Sequence, residues 1–354
     1  MEEDLMTEYL GKHSAADPLM KKAQLILGGD ILLPKGYKMP YRISRSTAGP
    51  GAGKRSAVLA FDRMRIKKGI SYDSGEFELI DDNGALSLTR KGEPFLDRVE
   101  ILPIVFHSPE QAFFNLDQRC IYNCKFCTSP LLKNDATGSL SDEKIVDMIR
   151  GAMKDHNVVS ASLTSGVVGS VAGTVNRMVS CVKAIRAAFP DMPIGVEPYV
   201  DSAEQIDALK RAGASEIKIN LETPRADIFG KICPELDHSL IMEMLKASVK
   251  IFGPGKVTTN LIFGLGETDG DLEECMETLA SFGCAAGLRA VRINEMNEKD
   301  LRDAGVTIGV TAERMIGLAE AQKRIFGENS LTTRSFRTMC FECGCCDLIP
   351  FRDL

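Results

Sequence analysis

Residues 120–127 read Cys120-Ile-Tyr-Asn-Cys124-Lys-Phe-Cys127, which places three thiols in one short loop. The loop follows directly after a β-rich run over residues 112–116. A structural zinc site would need a fourth ligand close by, and the neighbouring sequence supplies neither a histidine nor another cysteine. Three thiolates suit a [4Fe–4S] cluster with one iron left open. The spacing therefore predicts an iron–sulfur centre with one iron open to a small molecule.

The chain from about residue 112 to 335 alternates short β-rich runs with longer segments of helical periodicity. Apolar residues recur at helical spacing between the runs, as at Ile145, Met148 and Ile149. Repeated βα units with short links predict a parallel sheet covered by helices, and a series of this length favours a full or partial TIM-type barrel over an open Rossmann sheet. The predicted strands cover residues 112–116, 158–163, 194–200, 216–221, 257–263 and 288–293.

The first hundred residues have a different pattern and predict an α+β extension. Two β-rich runs, 77–80 and 85–88, flank Asp82-Asn83-Gly84, which is a strong hairpin signal. The glycine-rich stretch 47–54 resembles a phosphate loop, but its spacing differs and Arg55 stands where a serine or threonine would be. A flexible or tight-turn segment is therefore predicted, with nucleotide binding as the alternative. We expect an N-terminal accessory region over 1–100, a barrel over 101–335 and a cysteine-rich segment over 336–354. The accessory region could be a lid, a docking surface or a structural cap.

Four more cysteines lie close to the C-terminus, in the order Cys340, Cys343, Cys345 and Cys346. Thiols at this density predict a metal site, either a second iron–sulfur cluster or a structural zinc. Adjacent residues of an extended backbone point in different directions, so one of the last two cysteines need not be a ligand. The candidates for a ligand from elsewhere are Cys233, Arg334 and Ser335.

Composition and charge exclude several functions. The chain has 354 residues, 44% of them hydrophobic and 26% charged, and its formal net charge is −6. The absence of a dense basic block disfavours nucleic-acid binding. No uncharged apolar run approaches the roughly 18 residues of a membrane span, and the acidic residues 1–4 do not resemble a secretory signal. Clustered cysteines in such a chain predict metal binding in a cytoplasmic protein, since disulfide frameworks belong to secreted ones.

The first cysteine loop, with the aromatic Phe126 before its last cysteine, resembles the cluster-binding loop of the radical S-adenosylmethionine (SAM) enzymes. Three segments at predicted strand ends resemble the biotin and lipoyl synthases of that family, although each alone could be a helix cap or a tight turn. They are Leu163-Thr164-Ser165-Gly166, Asn220-Leu-Glu222-Thr223-Pro224 and Ile262-Phe-Gly264-Leu-Gly266-Glu267-Thr268.

This resemblance implies which residues hold the cofactors. Cys120, Cys124 and Cys127 would bind a [4Fe–4S] cluster that cleaves SAM to methionine and a 5′-deoxyadenosyl radical. A carboxylate and an amide suit the vicinal ribose hydroxyls of SAM, while glycines admit a close backbone approach. The implied SAM contacts are Phe126, Thr164, Ser165, Gly166, Asn220, Glu222, Ile262 and Gly264. Arg289, Arg292 and Asn294 could hold a carboxylate of SAM or substrate, or could be solvated groups of the barrel rim.

The second cysteine set narrows the resemblance. Biotin synthases draw auxiliary-cluster cysteines from barrel strands, but residues 158–166, 194–199 and 256–264 contain none. Single-protein lipoyl synthases have an N-terminal cysteine set, but no cysteine precedes Cys120. The chain is therefore most similar to a component of the two-protein lipoyl synthase type found mainly in archaea and some bacteria, whose members carry two [4Fe–4S] clusters.

That resemblance implies a reaction and partners. The second, auxiliary [4Fe–4S] cluster would donate sulfur to a protein-bound octanoyl chain, carried by a lipoyl domain or an H-protein. A companion radical SAM subunit and a ferredoxin or flavodoxin reductant are implied as well. One alternative is another radical SAM reaction, on a peptide or small molecule, with the second cluster as an electron relay or substrate anchor. Another is a non-catalytic iron–sulfur or zinc-binding protein.

Overall fold

The computed structural model describes residues 17–45, 50–51, 53–129, 140–306 and 309–354. The acidic residues 1–4 lie outside the described residues, and so does part of the glycine-rich stretch 47–54. Two sheets and their helices share one continuous apolar core in the described ranges. Of the helices described there, none is long and apolar enough to cross a bilayer.

The N-terminal sheet has seven strands in the order β2-β3-β4-β1-β5-β6-β7, and β3 also pairs with β7, so the sheet closes on itself. The predicted hairpin is confirmed, because β5 and β6 pair antiparallel around a turn in which Asn83 and Gly84 have φ of 54° and 93°. Positive φ at both central residues is the type I′ geometry that asparagine and glycine favour. The elements are helix α1 (Pro18–Leu27) and strands β1 (Ile31–Leu32), β2 (Ser44–Arg45), β3 (Arg55–Phe61), β4 (Met64–Ser71), β5 (Phe77–Asp82), β6 (Ala85–Arg90) and β7 (Glu93–Leu102).

The second sheet contains six parallel strands in sequence order, which confirms the predicted parallel α/β architecture. Its edge strands β8 and β13 do not pair with each other in the described part of the chain, so closure into a full barrel is not seen there. The strands are β8 (Gln111–Asn115), β9 (Ser160–Thr164), β10 (Ile194–Glu197), β11 (Glu216–Lys218), β12 (Val257–Phe263) and β13 (Cys284–Ala290). The helices between them are α2 (Asp142–Asp155), α3 (Val171–Ala188), α4 (Ala203–Ala212), α5 (Ala226–Ile232), α6 (His238–Phe252) and α7 (Asp269–Ser281).

The last strand of the sheet covers Cys284–Ala290, so it begins and ends earlier in the chain than the predicted range 288–293. Strand β13 begins at Cys284, directly after Gly283, which has φ of 94° and ends the preceding turn. Its first residues are small and fully buried, so they give a weak β signal even though they pair with β12 along its whole length. Arg292 consequently lies beyond the strand. The chain then ends with helices α8 (Glu298–Asp303) and α9 (Ala312–Glu328), a 3₁₀ turn (Thr333–Ser335) and helix α10 (Met339–Cys343).

Candidate functional site

A cavity of about 290 Å³ lies on one face of the parallel sheet. Alternate strand residues face it, as the two-residue period of a strand requires; they include Phe113 and Asn115 of β8 and Asn260 and Ile262 of β12. The wall also contains Cys127 of the first cysteine loop and all four C-terminal cysteines. The fold thus brings together two cysteine sets that are far apart in sequence.

The first cysteine loop is fastened to the segment that follows β9. The backbone N–H of Ile121 donates to Val167 O at 2.8 Å, and the N–H of Val167 donates to Cys120 Sγ at 3.4 Å. Gly166 is needed here because a Cβ at that position would lie 2.2 Å from the carbonyl oxygen of Arg119. The sequence Leu163–Gly166 therefore shapes the cysteine loop as well as the cavity wall.

A second attachment runs from the loop to the end of helix α5. Lys125 N–H donates to Ile232 O at 2.8 Å, and Asn123 N–H donates to Glu235 Oε2 at 2.6 Å. Cys233 is 1% exposed, and a hydrogen bond to the thiol of Cys124, together with burial, raises its pKa. The prediction that Cys233 could be a ligand of the C-terminal site is wrong. The chain after β11 places Cys233 beside Cys124 of the first cysteine loop instead.

The donor set of the loop fits an iron–sulfur cluster better than a single zinc ion. Within the described ranges, no three histidine, cysteine, aspartate or glutamate side chains are arranged to share one metal ion. A zinc site needs its thiolates to converge on one point, whereas in a [4Fe–4S] cluster each thiolate binds a different iron. Burial raises the pKa of the Cys127 thiol to about 12, so metal binding there would release a proton.

The carboxyl ends of the strands present polar groups that suit a nucleoside. Asn115 Oδ1 and Asn220 Oδ1 are buried and have no hydrogen-bond partner in the described structure, and such orphaned acceptors are typical of ligand sites. Glu222 has φ of 68°, a strained value for a residue with a side chain, and burial raises the pKa of its carboxyl to about 7. Asn220 Nδ2 donates to Glu197 Oε1 at 2.9 Å and fixes the amide. These groups fit the hydroxyls and amine of SAM.

The C-terminal cysteine segment closes the opposite end of the cavity, at the amino ends of the strands. Thr338 donates to Glu216 Oε2 from its N–H at 3.0 Å and from its hydroxyl at 2.6 Å. Met339 N–H donates to Gln111 Oε1 at 2.9 Å, and Gln111 Nε2 donates back to Met339 O at 3.0 Å. Because Gln111 and Glu216 are the first residues of β8 and β11, the two cysteine sets face each other across the cavity.

Two cationic side chains, the buried Lys218 and the partly buried Arg289, donate hydrogen bonds to the sulfur of Cys340. Lys218 Nζ and Arg289 Nη2 each donate to Cys340 Sγ at 3.4 Å. Burial would lower the pKa of Lys218, but the negative charges of Cys340 and Glu197 outweigh it and raise the pKa. Burial would lower the pKa of Arg289 as well, but the charges of Asp347 and Cys340 outweigh it and hold this pKa well above its usual value. Both side chains therefore stay cationic at neutral pH.

The model of the radical SAM superfamily matches residues 115–279. This part of the chain is a radical SAM domain. The family implies a [4Fe–4S] cluster and SAM as cofactors, and the three-cysteine loop lies inside the matched range.

Curated relatives of the radical SAM domain are named lipoyl synthase and biotin synthase. A lipoyl synthase of Oleidesulfovibrio alaskensis is 26% identical over 185 residues, which cover 51% of this chain and 60% of that protein. A lipoyl synthase of Nitratidesulfovibrio vulgaris is 28% identical over 191 residues, covering 51% and 59%. A biotin synthase of Aliarcobacter butzleri is 25% identical over 168 residues, covering 46% and 57%. The chain thus resembles this group over less than two thirds of each relative's length.

Solved structures confirm the fold of the radical SAM domain. The structure of a methylornithine synthase matches 60% of this chain and 61% of that chain with a TM-score of 0.50 and 14% identity. The FeFe-hydrogenase maturase of Carboxydothermus hydrogenoformans matches 62% and 52% with a TM-score of 0.50 and 16% identity. At this identity the likeness extends to the fold alone.

The radical SAM domain brings five of the eight predicted SAM contacts to the cavity wall: Phe126, Thr164, Asn220, Glu222 and Ile262. Ser165, Gly166 and Gly264 are not part of that wall. A Cβ on Gly264 would lie 2.3 Å from Val310 Cγ2, so this glycine admits a neighbouring side chain.

Glu267 fixes the same turn. Its carboxylate accepts from the N–H groups of Gly264 and Leu265 at 2.7 and 2.8 Å and from Arg314 Nη2 at 3.0 Å. These hydrogen bonds fix the turn over residues 264–268 next to the wall residue Ile262.

The arginines and the serine predicted near the second cysteine set have different positions. Arg292 lines the cavity, but its Nη1 and Nη2 donate to the carbonyls of Ile26 and Cys346 at 3.0 and 3.1 Å. Arg334 and Ser335 are exposed and lie off the cavity wall, where Arg334 Nε donates to Phe351 O and the Ser335 hydroxyl donates to Thr332 O. The structure therefore does not bring Arg334 or Ser335 to the cysteines.

Cys345 is distinct among the C-terminal cysteines. It is 1% exposed, packs in an apolar cluster with Val58 and Ile104, and donates its S–H to Cys343 O at 3.3 Å. Lys67 N–H of strand β4 donates to Cys345 O at 2.7 Å. The N-terminal sheet thus covers the end of the cavity where this cysteine set lies.

Sequence reasoning missed several wall residues, including Gln111, Asn115, Glu197 and Lys218. Asn115 and Glu197 are the last residues of β8 and β10, and a polar residue ending a parallel strand is a recognisable signal of a site. Lys218 gave a weaker signal, because its partners Glu197 and Cys340 come from distant parts of the chain.

Proposed function

We propose that the protein is a radical SAM enzyme that inserts sulfur into an unactivated C–H bond, with the sulfur drawn from an auxiliary [4Fe–4S] cluster on the C-terminal cysteines. The single observation that carries the proposal is the shared cavity, whose wall contains Cys127 and the C-terminal cysteines together. A substrate in this cavity would have a SAM-derived radical on one side and a sulfur source on the other.

The residues of the chain have separate tasks in this proposal. Cys120, Cys124 and Cys127 hold the first cluster, and Asn220 and Glu222 bind the ribose hydroxyls of SAM. When bound, the reduced cluster and SAM supply the family's chemistry, which is one-electron cleavage of SAM to a radical that abstracts hydrogen. The enclosing wall holds the reacting groups close together and excludes water.

The finer proposal is that the substrate is an octanoyl chain carried by a lipoyl domain or an H-protein. The similarity to lipoyl synthases supports it. Apolar wall residues suit a fatty acyl chain; they are Phe113, Ile262, Ala290, Val291 and Met339. The proposal includes a companion radical SAM subunit, a ferredoxin or flavodoxin as reductant, and a cytoplasmic location, where cysteines stay reduced.

The test follows the sulfur atom. The protein is reconstituted anaerobically with ³⁴S-sulfide, and dithionite, SAM and an octanoylated lipoyl-domain peptide are added, with the companion subunit in a parallel reaction. We expect 5′-deoxyadenosine and a heavy sulfur atom in the peptide, detected by mass spectrometry. A Cys120/Cys124/Cys127→Ala variant should form neither product.

A matched variant isolates the second cysteine set. Replacing Cys340, Cys343, Cys345 and Cys346 with alanine should leave SAM cleavage intact and abolish sulfur transfer. 5′-Deoxyadenosine without labelled peptide in the unmodified protein would contradict sulfur donation and favour the relay or anchor role. If 5′-deoxyadenosine is absent despite an intact cluster, the enzymatic proposal fails altogether.

A further inference from the structure

Cys340 is the C-terminal cysteine whose sulfur accepts hydrogen bonds from side-chain cations. Lys218 Nζ and Arg289 Nη2 both lie 3.4 Å from its Sγ. In the described part of the chain, no lysine or arginine donates in this way to the sulfur of Cys343, Cys345 or Cys346. The four cysteines therefore differ in the hydrogen bonds that their sulfur atoms accept, although they lie within seven residues.

Each of the two cations is also paired with a carboxylate. Lys218 is 2% exposed and its Nζ lies 3.2 Å from Glu197 Oε1, while Arg289 Nη2 donates to Asp347 Oδ2 at 2.9 Å. The two side chains come from different strands, β11 and β13, so Cys340 Sγ accepts one hydrogen bond from each of these strands. Such fixed, charge-assisted donors cost little reorganisation and stabilise a thiolate.

Hydrogen bonds to a thiolate have two effects on a metal–sulfur bond. They withdraw electron density from the sulfur, which weakens its donation to iron, and they stabilise the thiolate after the bond breaks. Cys340 also lies on the cavity wall, where an incoming ligand can reach the same iron.

We propose that Cys340 is the exchangeable ligand of the cluster on the C-terminal cysteines, and that Lys218 and Arg289 make it exchangeable. The inference rests on the proposed function only in requiring a cluster at this set. In the exchange, the iron–sulfur bond to Cys340 would break and its electron pair would stay on the thiolate, to which Lys218 and Arg289 donate. An incoming ligand would donate a lone pair to the vacated iron, and neither an electron nor a proton would be transferred.

Ligand deletion tests which cysteine can leave. The parent is the Cys120/Cys124/Cys127→Ala variant, so that the C-terminal set alone binds iron. In that background, Cys340→Ala should keep the iron and sulfide of the parent, and its reduced cluster should change its electron paramagnetic resonance signal when cyanide is added. Cys343→Ala should lose most of its iron. Equal loss of iron in the two variants would overturn the inference.

Removing one cation tests whether Lys218 and Arg289 make the Cys340 ligand exchangeable. Lys218→Gln should keep the cluster but exchange cyanide about tenfold more slowly, and reduction should become about tenfold less favourable, which is about 59 mV for a one-electron couple. Lys218→Arg should restore most of both properties. Lys256→Gln is the matched control, because Lys256 is 41% exposed and pairs with Glu216 at 3.7 Å, and it should match the parent.

Arg289→Gln provides the same test if Lys218→Gln does not fold. A cation variant that folds and exchanges cyanide at the rate of the parent overturns the inference, while SAM cleavage and sulfur transfer in the intact enzyme can still succeed. A parent that binds no iron at the C-terminal set overturns the inference and the sulfur-donor proposal together.

Discussion

Replacing Glu216 with alanine tests whether one buried carboxylate holds the C-terminal cysteines at the cavity. Glu216 is 4% exposed and accepts three hydrogen bonds, from the N–H and hydroxyl of Thr338 and from the N–H of Arg337. Arg337 is exposed, so its N–H can bond to water in the variant, but Thr338 is 1% exposed and loses two hydrogen bonds. Hydrogen bonds to a charged group contribute about 1.5–3 kcal/mol each, so the two buried ones predict a loss of about 3–6 kcal/mol.

Urea denaturation measures that loss, and iron analysis in the Cys120/Cys124/Cys127→Ala background shows whether the C-terminal set still binds metal. Glu216→Ala should lose both stability and iron. Glu216→Gln keeps the shape and one acceptor and should lose about half as much stability. Lys256→Gln removes only the long ion pair from the exposed amine of Lys256 to Glu216, at 3.7 Å, and should cost less than about 1 kcal/mol. The reasoning is refuted if Glu216→Ala unfolds within 1 kcal/mol of the parent or retains the parent's iron.

Three further predictions concern other parts of the site. Gly166→Ala places a Cβ 2.2 Å from the Arg119 carbonyl, so we expect a cost of about 1–3 kcal/mol and less iron in the first loop, measured by denaturation and iron analysis. Burial raises the pKa of Glu222 to about 7, so its contribution to stability is present at low pH and is lost as pH rises through 7. That loss is about 2 kcal/mol between pH 5.5 and 7.5, and a Glu222→Gln variant that shows the same loss contradicts it. Lys22 and Asp353 form an ion pair at 2.6 Å with side chains 0% and 1% exposed, so Lys22→Met should cost about 3–5 kcal/mol and Lys22→Met/Asp353→Asn clearly less in a double-mutant cycle.

The features that the sequence predicted well are those set by local geometry. The Asn83-Gly84 turn fixes a hairpin because both residues adopt positive φ readily. Strand β12 has the predicted bounds, Val257–Phe263, because a run of buried residues between two helices has few alternative structures. The cysteine loop could also be recognised, since its three thiols lie within eight residues and their spacing carries the chemistry.

The meeting of the two cysteine sets could not be predicted from spacing, because it depends on contacts between the C-terminal segment and the starts of distant strands. The attachment of Cys233 to the first loop has the same origin, since it follows from the path of the chain after β11.

One signal for the site was nevertheless present in residues 216–222. Glu216, Lys218, Asn220 and Glu222 alternate with three apolar residues that are at most 1% exposed, Ile217, Ile219 and Leu221. Alternating residues point to opposite faces of a strand, and a parallel strand covered by helices is normally apolar on both. Polar residues at every second position in and just after the predicted strand 216–221 therefore mark a face that does not pack against helices. Lys218, Asn220 and Glu222 line the cavity, although β11 itself ends at Lys218. The same alternation places Lys218 beside the predicted pair Asn220 and Glu222.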